Sequence, residues 1–423
     1  MIGKVKGTQD FIDLSLYNEV LNLFRMHLAK YHFTEIKTPL LEHVSLFTKT
    51  LGEHTDVVSK EMFLIQSKDI EKALEDQICL RPEATAPTMR VFLEHHIERI
   101  PWKVFMIGPM FRYERPQKGR LRQFHQCNIE IIGEASIAGD LELLILLDRF
   151  FHETLRMNNY AISINFLGCQ EDRKKHHETL VKFLNNIDSK ELCPNCLIRR
   201  EHNILRVFDC KEIHCQELYK KAPKTTDSLC DLCNDEWQFL QNGLQVVSVS
   251  TSHNPLLVRG LDYYTKTVFE FVGHAGVGSQ NAFAGGGRYD HLAETLGNKQ
   301  TIPSLGAGIG IERLLLLLEP YRELILEKKK EQLVTVVPYE KEQHMLALLY
   351  ADELRAAGIT TEILFEGSVK SKMRKADKLG TTILLFLGPS EQESQTVIVK
   401  NMITGQQEQV RSSTLVPYVQ NMQ

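Results

Sequence analysis

The sequence predicts an α+β protein of more than one domain, and three observations carry that reading. Residues 60–135 are dominated by short strand-like runs. A charged, helical, cysteine-bearing segment at about 170–235 interrupts the strand pattern, in the manner of an insertion. After the charged stretch EKKKEQ (327–332), strands and helices alternate, as in a small α/β domain with a mostly parallel sheet. At 423 residues the chain exceeds one comfortable core. The expected division is 1–325 for the main domain, 170–235 for an insertion within it, and 331–423 for the last domain.

The elements follow in order. Asp10 is placed to cap a helix reaching about Lys30, with Leu14, Leu16, Val20, Leu21, Leu23, Phe24, Met26, Leu28 and Ala29 supplying much of its buried face. FTEIKTPLLE (33–42) reads as a strand interrupted by Pro39, which removes a ladder donor. KEMFLIQ, ICLRPEATAP, KVFMIGPMFRYE and QFHQCNIEIIG all read as strands. An amphipathic helix runs from about Asp140 to Met157, and AISINFLG (161–168) is a strand. Strand pattern returns at LQVVSVS and YYTKTVFEFVG. GAGIGIERLLLLLE reads as a strand, a glycine turn and a buried helix. In the last domain LVTVVPY, TEILFE and TILLFLG are strands, separated by a helix ending at Gly358 and a basic helix near 369–379.

Composition narrows the class. At 43% hydrophobic and 25% charged residues the chain is ordinary for a globular protein. A net charge of -4 leaves any nucleic-acid binding to a local patch. MIGKVKGTQDF lacks the apolar core of a secretory signal, and no run approaches the ~18 apolar residues of a membrane span. The cytoplasm is therefore expected, with no membrane partner. Nine cysteines do not make a secreted disulfide scaffold.

The stretch GPMFRYERPQKGRLRQFHQ (108–126) sets Arg112, Arg115, Lys118, Arg120 and Arg122 between two apolar runs. The flanks suggest an antiparallel hairpin. Side-chain alternation puts Met110, Arg112 and Glu114 on one face, and Phe124, Gln126, Asn128 and Glu130 on one face of the second strand. The charge is either a solvated face or a platform for polyphosphate and an amino acid, since guanidinium forks match phosphate and an aromatic ring can stack on a base. Other stretches favour the platform. LRPEATAP places Arg81, Glu83 and Thr85 on one strand face. LVRGLDYYTKT carries Arg259, Asp262, Tyr263 and Tyr264 just before a strand, and AFAGGGRYD carries Arg288 and Tyr289 after a glycine-rich tight turn. GIGIERL sets Arg313 at a strand end. Arginines at so many apolar strand ends would be expensive without anionic partners.

Together these stretches resemble the histidyl-tRNA synthetase family of class II aminoacyl-tRNA synthetases. FTEIKTPLLE, FRYERPQKGRLRQFHQ and GIGIERLLLL look like the three class motifs, while RGLDYY and AGGGRYD resemble its histidine-specific stretches. GTQDF is also family-like, although Gln9 stands where a basic residue is common. The resemblance implies an antiparallel-sheet catalytic core with a helical insertion and a C-terminal α/β anticodon-binding domain. It implies histidine activation by ATP with Mg2+, transfer to tRNA(His), and a homodimer formed through the first motif. Arg112 and Arg259 would be catalytic at the α-phosphate. Glu114, Phe124, Arg120 and Arg313 would join Arg112 in holding ATP. Glu83, Ala84, Thr85, Gln126, Glu130, Tyr263 and Tyr264 would bind L-histidine together with Arg112 and Arg259.

Two other readings differ in class. A synthetase-like regulatory subunit of histidine biosynthesis would lack the C-terminal domain and depart at RGLDYY. A non-catalytic RNA-binding protein would use the basic helix of Lys370, Lys372, Arg374, Lys375 and Lys378, whose bland reading is a solvated face. Finally, CPNC and CDLC offer Cys193, Cys196, Cys230 and Cys233 as one structural zinc site by paired CxxC spacing, with Cys210, Cys215, His202 and His214 as further candidates. Otherwise these are small buried residues or surface thiols, and Cys79, Cys127 and Cys169 read as packing residues.

Overall fold

The computed structural model describes residues 2–52, 55–66, 77–274, 281–326 and 332–422. They form two compact units, Met1–Ile325 and Leu326–Gln423. Most of the EKKKEQ stretch lies outside the described residues.

The first unit is built on an eight-stranded sheet. Its strands are β1 (Thr34–Glu35), β5 (Trp102–Phe111), β6 (Gln123–Ile132), β7 (Tyr160–Phe166), β8 (Thr251–His253), β9 (Thr265–Gly273), β10 (Ala282–Arg288) and β11 (Ser304–Gly310). The spatial order is β1-β5-β6-β11-β10-β9-β7-β8. The six central strands pair antiparallel, and β1 and β8 join the two ends in parallel. A small antiparallel sheet of β2 (Leu41–His43), β3 (Phe63–Ile65) and β4 (Ile78–Leu80) sits beside it.

Period-two alternation decides what each face does. Cys127, Ile129 and Ile131 of β6 join a large core with Phe24 and Leu28 of helix Ser15–Lys30, Leu143 and Leu147 of helix Ile137–Arg149, and Leu240 and Leu244 of helix Asp231–Val246. Phe124, Gln126, Asn128 and Glu130 point the other way, as expected. That second face is covered only in part, by helices Val44–Leu51 and Thr85–Glu94.

Several elements differ from expectation. The first helix starts at Ser15, where Asp13, not Asp10, accepts the Ser15 amide at 2.8 Å. ICLRPEATAP is a strand only as far as Leu80. Glu83 then accepts the amides of Thr85 and Ala86, and a helix begins at Thr85. LQVVSVS is not a strand: its first three residues end helix Asp231–Val246, because Trp237, Leu240 and Leu244 are buried at helical spacing, and the rest lies beyond the helix. AFAGGGR is strand β10 and not a turn. GAGIG likewise runs straight into helix Ile311–Leu318 without a separate turn.

Within residues 170–235, helices Gln170–Asn185, Pro194–His202 and Ile213–Tyr219 enclose a separate small core of Leu180, Leu184, Ile204, Val207, Tyr219 and four cysteines. The expected zinc quartet does not form. Cys193 and Cys196 gather with Cys210 and Cys215, whereas Cys230 and Cys233 gather with Cys169 and Asp172. The cause is the second CxxC's place at the start of helix Asp231–Val246, which packs in the main core rather than the insertion core. The side chain of His202 lies outside the described part.

The second unit carries a five-stranded sheet of β12 (Leu333–Pro338), β13 (Thr360–Ile363), β14 (Ile383–Leu387), β15 (Thr396–Asn401) and β16 (Gln407–Arg411), ordered β13-β12-β14-β15-β16. β12 pairs in parallel with both neighbours, but β14-β15-β16 is antiparallel. The β15–β16 link is too short for a crossover helix and turns tightly through Gly405, whose φ is 77°. The basic helix is Val369–Lys378; its Lys372 is buried and donates to the Pro338 carbonyl, leaving Lys370, Arg374, Lys375 and Lys378 exposed. Among the described residues no helix is long and apolar enough to cross a membrane.

Candidate active site

Above the open face of β6, β11, β10 and β9 lies a cleft of about 770 Å³. Two carboxylates sit deep beside it. Glu130 is buried; the Thr85 hydroxyl donates to its Oε1 at 2.7 Å and the Tyr289 hydroxyl donates to its Oε2. Burial pushes its pKa up to about 8 against the pull of those donors. Glu83 accepts the Thr85 and Ala86 amides at 2.7 and 2.9 Å. Burial raises its pKa as well, opposed by the amides and by Arg112.

Aromatic rings close the recess. Tyr263 and Tyr264 lie 4.6 Å apart, and Tyr289 is 5.6 Å from Tyr263. Burial raises the pKa of all three phenols, so they are hydroxyl donors at neutral pH. Gln126 Oε1 and Asn128 Oδ1 are buried without a hydrogen-bond partner. Unsatisfied acceptors beside a cleft call for a ligand that donates. Ala84, next to Glu83 in the chain, packs with Met106, Met110 and the cleft-lining Phe124.

The cations line the rest. Arg112 donates through Nε to the Pro82 carbonyl at 2.9 Å and lies 5.5 Å from the Phe124 ring centroid. Arg313, the third residue of helix Ile311–Leu318, donates to the Gly119 and Ala282 carbonyls at 2.7 and 2.6 Å. Neither arginine forms an ion pair among the described residues. Burial, reinforced by Arg120, lowers the Arg313 pKa, as expected of a cation whose counter-charge is a ligand. Arg120 reaches in from the hairpin loop and pairs with Glu114.

Arg259 lies across β10 and pairs with Glu270 of β9. Burial alone would lower its pKa, but Glu270 and the two tyrosines raise it. Its path explains a glycine: a Cβ on Gly285 would stand 2.8 Å from the guanidinium. Gly306 does the same for the carboxylate, since a Cβ there would lie 1.9 Å from Glu130 Oε2.

Of the residues the sequence assigned to ATP and histidine, Arg112, Glu114, Arg120, Phe124, Gln126, Arg259 and Arg313 line the cleft, and Glu83, Ala84, Thr85, Glu130, Tyr263 and Tyr264 cluster together. Two arginines of the same stretches do other work. Arg81 is buried and donates to Thr38, Pro39 and Pro109, fastening the segment after β1 to β5. Arg288 pairs with Asp140 beneath the sheet. Sequence reasoning missed the insertion's share of the cleft, Arg199, Arg206 and Lys211. Arg206 donates to the Arg259 carbonyl at 3.3 Å and pairs with Asp209 at 3.1 Å. It also missed Glu270, which a charged residue inside the apolar run VFEFV could have signalled, and Glu312. Both Glu312 oxygens accept the His125 amide at 2.9 Å, which fixes the start of β6.

Comparison with known proteins gives a consistent picture. Residues 14–314 match the family model described as histidyl-tRNA synthetase, and residues 333–422 match that of an anticodon binding domain. A curated relative, histidine–tRNA ligase of Aquifex aeolicus, is 39% identical over 420 residues, covering 98% of this chain and 100% of its own. The crystal structure of apo Staphylococcus aureus histidyl-tRNA synthetase superposes with a TM-score of 0.81 at 30% identity, covering 99% of both chains. An ATP phosphoribosyltransferase regulatory subunit/histidyl-tRNA synthetase from Bacillus halodurans shares the fold at 18% identity and a TM-score of 0.62, covering 92% of this chain and 98% of its own.

Proposed function

The chain belongs to the histidyl-tRNA synthetase family and is a histidine–tRNA ligase, and from that premise we propose that the cleft on β6, β11, β10 and β9 is where ATP activates histidine. The observation that carries this is a cleft lined by four arginines, 112, 120, 259 and 313, of which Arg112 acts on buried Glu83 and Arg259 on buried Tyr263 and Tyr264. Anionic triphosphate answers the arginines, and a molecule with an ammonium and a ring N–H answers the buried groups.

ATP enters as its Mg2+ complex. Phe124 stacks on the adenine, with Glu114 at its edge. Arg120 and Arg313 hold the β- and γ-phosphates, and Arg112 spans the α-phosphate and the histidine carboxylate. The substrate ammonium lies against Glu83, Ala84 and Thr85. Gln126, Glu130, Tyr263 and Tyr264 enclose the imidazole, and Glu130 accepts its ring N–H. The histidine carboxylate attacks the α-phosphorus and pyrophosphate leaves. Arg259 meets the negative charge that builds on the equatorial oxygens, where fixed charge does most of the work. A ribose hydroxyl of the tRNA 3′ end then attacks the adenylate carbonyl and AMP leaves.

The second unit, with Lys370, Arg374, Lys375 and Lys378 exposed on one helix, reads the anticodon end of tRNA(His). The working form is a cytoplasmic homodimer joined through the segment 33–42. The direct test is pyrophosphate exchange into ATP, which should require L-histidine. Exchange with another amino acid, or none with histidine, would remove the site assignment.

A further inference from the structure

Four cysteines that the activation reaction does not use meet in the insertion. Cys193 precedes helix Pro194–His202, Cys196 lies in its first turn, Cys210 follows the 3-10 segment Ile204–Asp209, and Cys215 lies in helix Ile213–Tyr219. All four are buried and all four sulfurs lie within 4.8 Å of one another. The Cys193 and Cys210 sulfurs are 3.7 Å apart, far beyond the ~2.05 Å of a disulfide. Two thiolates on one tetrahedral Zn2+, each at about 2.3 Å, stand about 3.8 Å from each other.

We propose that Cys193, Cys196, Cys210 and Cys215 form a tetrathiolate zinc site. Four soft donors without a carboxylate or open position are the ligand set of a closed structural centre. A backbone donor already faces it, the Cys193 amide on the Cys215 sulfur at 3.4 Å. The buried core around the quartet is small, with Leu180, Leu184, Leu192, Ile204, Val207, Tyr219 and Ala222 as its other members. Partly buried side chains such as Phe183, Leu197 and Phe208 pack around it, and metal bonds between segments are a common supplement to cores of this size. The second group lacks this character. It has three cysteines, and the oxygens of Asp172 already accept the Cys169 and Cys230 amides at 3.2 and 2.9 Å.

The site would fix the segments that deliver Arg199, Arg206 and Lys211 to the cleft, since all three lie between its ligands in sequence. Elemental analysis of the untagged full-length protein tests it. About one zinc per chain is expected in the wild type and in Cys230→Ser, falling below about 0.2 in Cys193→Ser and Cys210→Ser. Because those two variants can lose the metal by misfolding, Co2+ replacement in the wild type provides a second reading. Intense visible absorption with thiolate-to-cobalt charge transfer is expected. Wild-type zinc below about 0.2 per chain, zinc lost in Cys230→Ser but kept in Cys210→Ser, or a cobalt spectrum without thiolate bands would each overturn the proposal.

Discussion

Gly306 stands opposite Glu130 in the β6–β11 pairing, so close that a Cβ on the glycine would lie 1.9 Å from the Glu130 carboxylate. Gly306→Ala therefore drives a methyl group against the Ile129 carbonyl at 2.5 Å and into the Glu130 carboxylate, which must leave its place between Thr85 and Tyr289. We expect histidine-dependent exchange to fall by about a hundredfold, the scale of an ångström's misplacement at a reacting site. Unchanged exchange in a folded Gly306→Ala protein would show that Glu130 does not need that position.

Arg259→Ala should lower the rate of adenylate formation by about 10²–10³-fold while changing the histidine concentration for half-saturation little, because its charge is needed most at the transition state. Single-turnover kinetics separate the two. Equal loss in both parameters would make Arg259 a binding residue only.

Glu130 predicts a pH signature of stability. Its native pKa, about 8, is raised by burial above the ordinary glutamate value of 4.5. The native state thus holds this proton more tightly than the unfolded chain. The resulting stability is fully present below about pH 4.5 and is lost as pH rises through about 8. Thermal midpoints of wild type should fall relative to those of Glu130→Gln across that window. Parallel curves would remove the assigned cause.

Arg288 and Asp140 form an ion pair buried on both sides, and burial is what raises the Asp140 pKa. Arg288→Met should cost about 3–5 kcal/mol by leaving the carboxylate unpaired. Adding Asp140→Leu should recover part of it, as urea unfolding can measure. A single variant as stable as wild type would mean that the pair carries no such load.

A chain ending at residue 326 keeps the whole cleft, since every lining residue precedes it. It should retain histidine-dependent exchange but charge tRNA at least about tenfold more slowly, having lost the unit that matches an anticodon binding domain and carries the basic helix. Full charging by the truncated chain would deny that unit its role.

Alternation made the cleft-facing side of β6 legible in advance, because a strand has only two faces and Ile129 and Ile131 had to take the buried one. Gly285, Gly286 and Gly287 read wrongly as a turn. Their strand conformation depends on Arg259 and on the neighbouring strands, which local sequence does not contain. The cysteines failed for a similar reason. CPNC and CDLC look alike, yet Trp237, Leu240 and Leu244 draw the second pair into another core. Glu83 was found for its charge but placed on a strand, since its bonds to the amides of Thr85 and Ala86 are what start the helix.

Those two amides also make the pocket observable from the backbone. Glu83 holds both of them while facing the place assigned to the substrate ammonium, so its carboxylate divides its lone pairs between helix and ligand. Deuterium exchange at Thr85 and Ala86 then reports directly on that division. A bound cation that orders the carboxylate should slow exchange at both positions together, without any label on the ligand. A peptide spanning this turn becomes a local clock for occupancy of the recess, readable in the intact protein and in every variant described above.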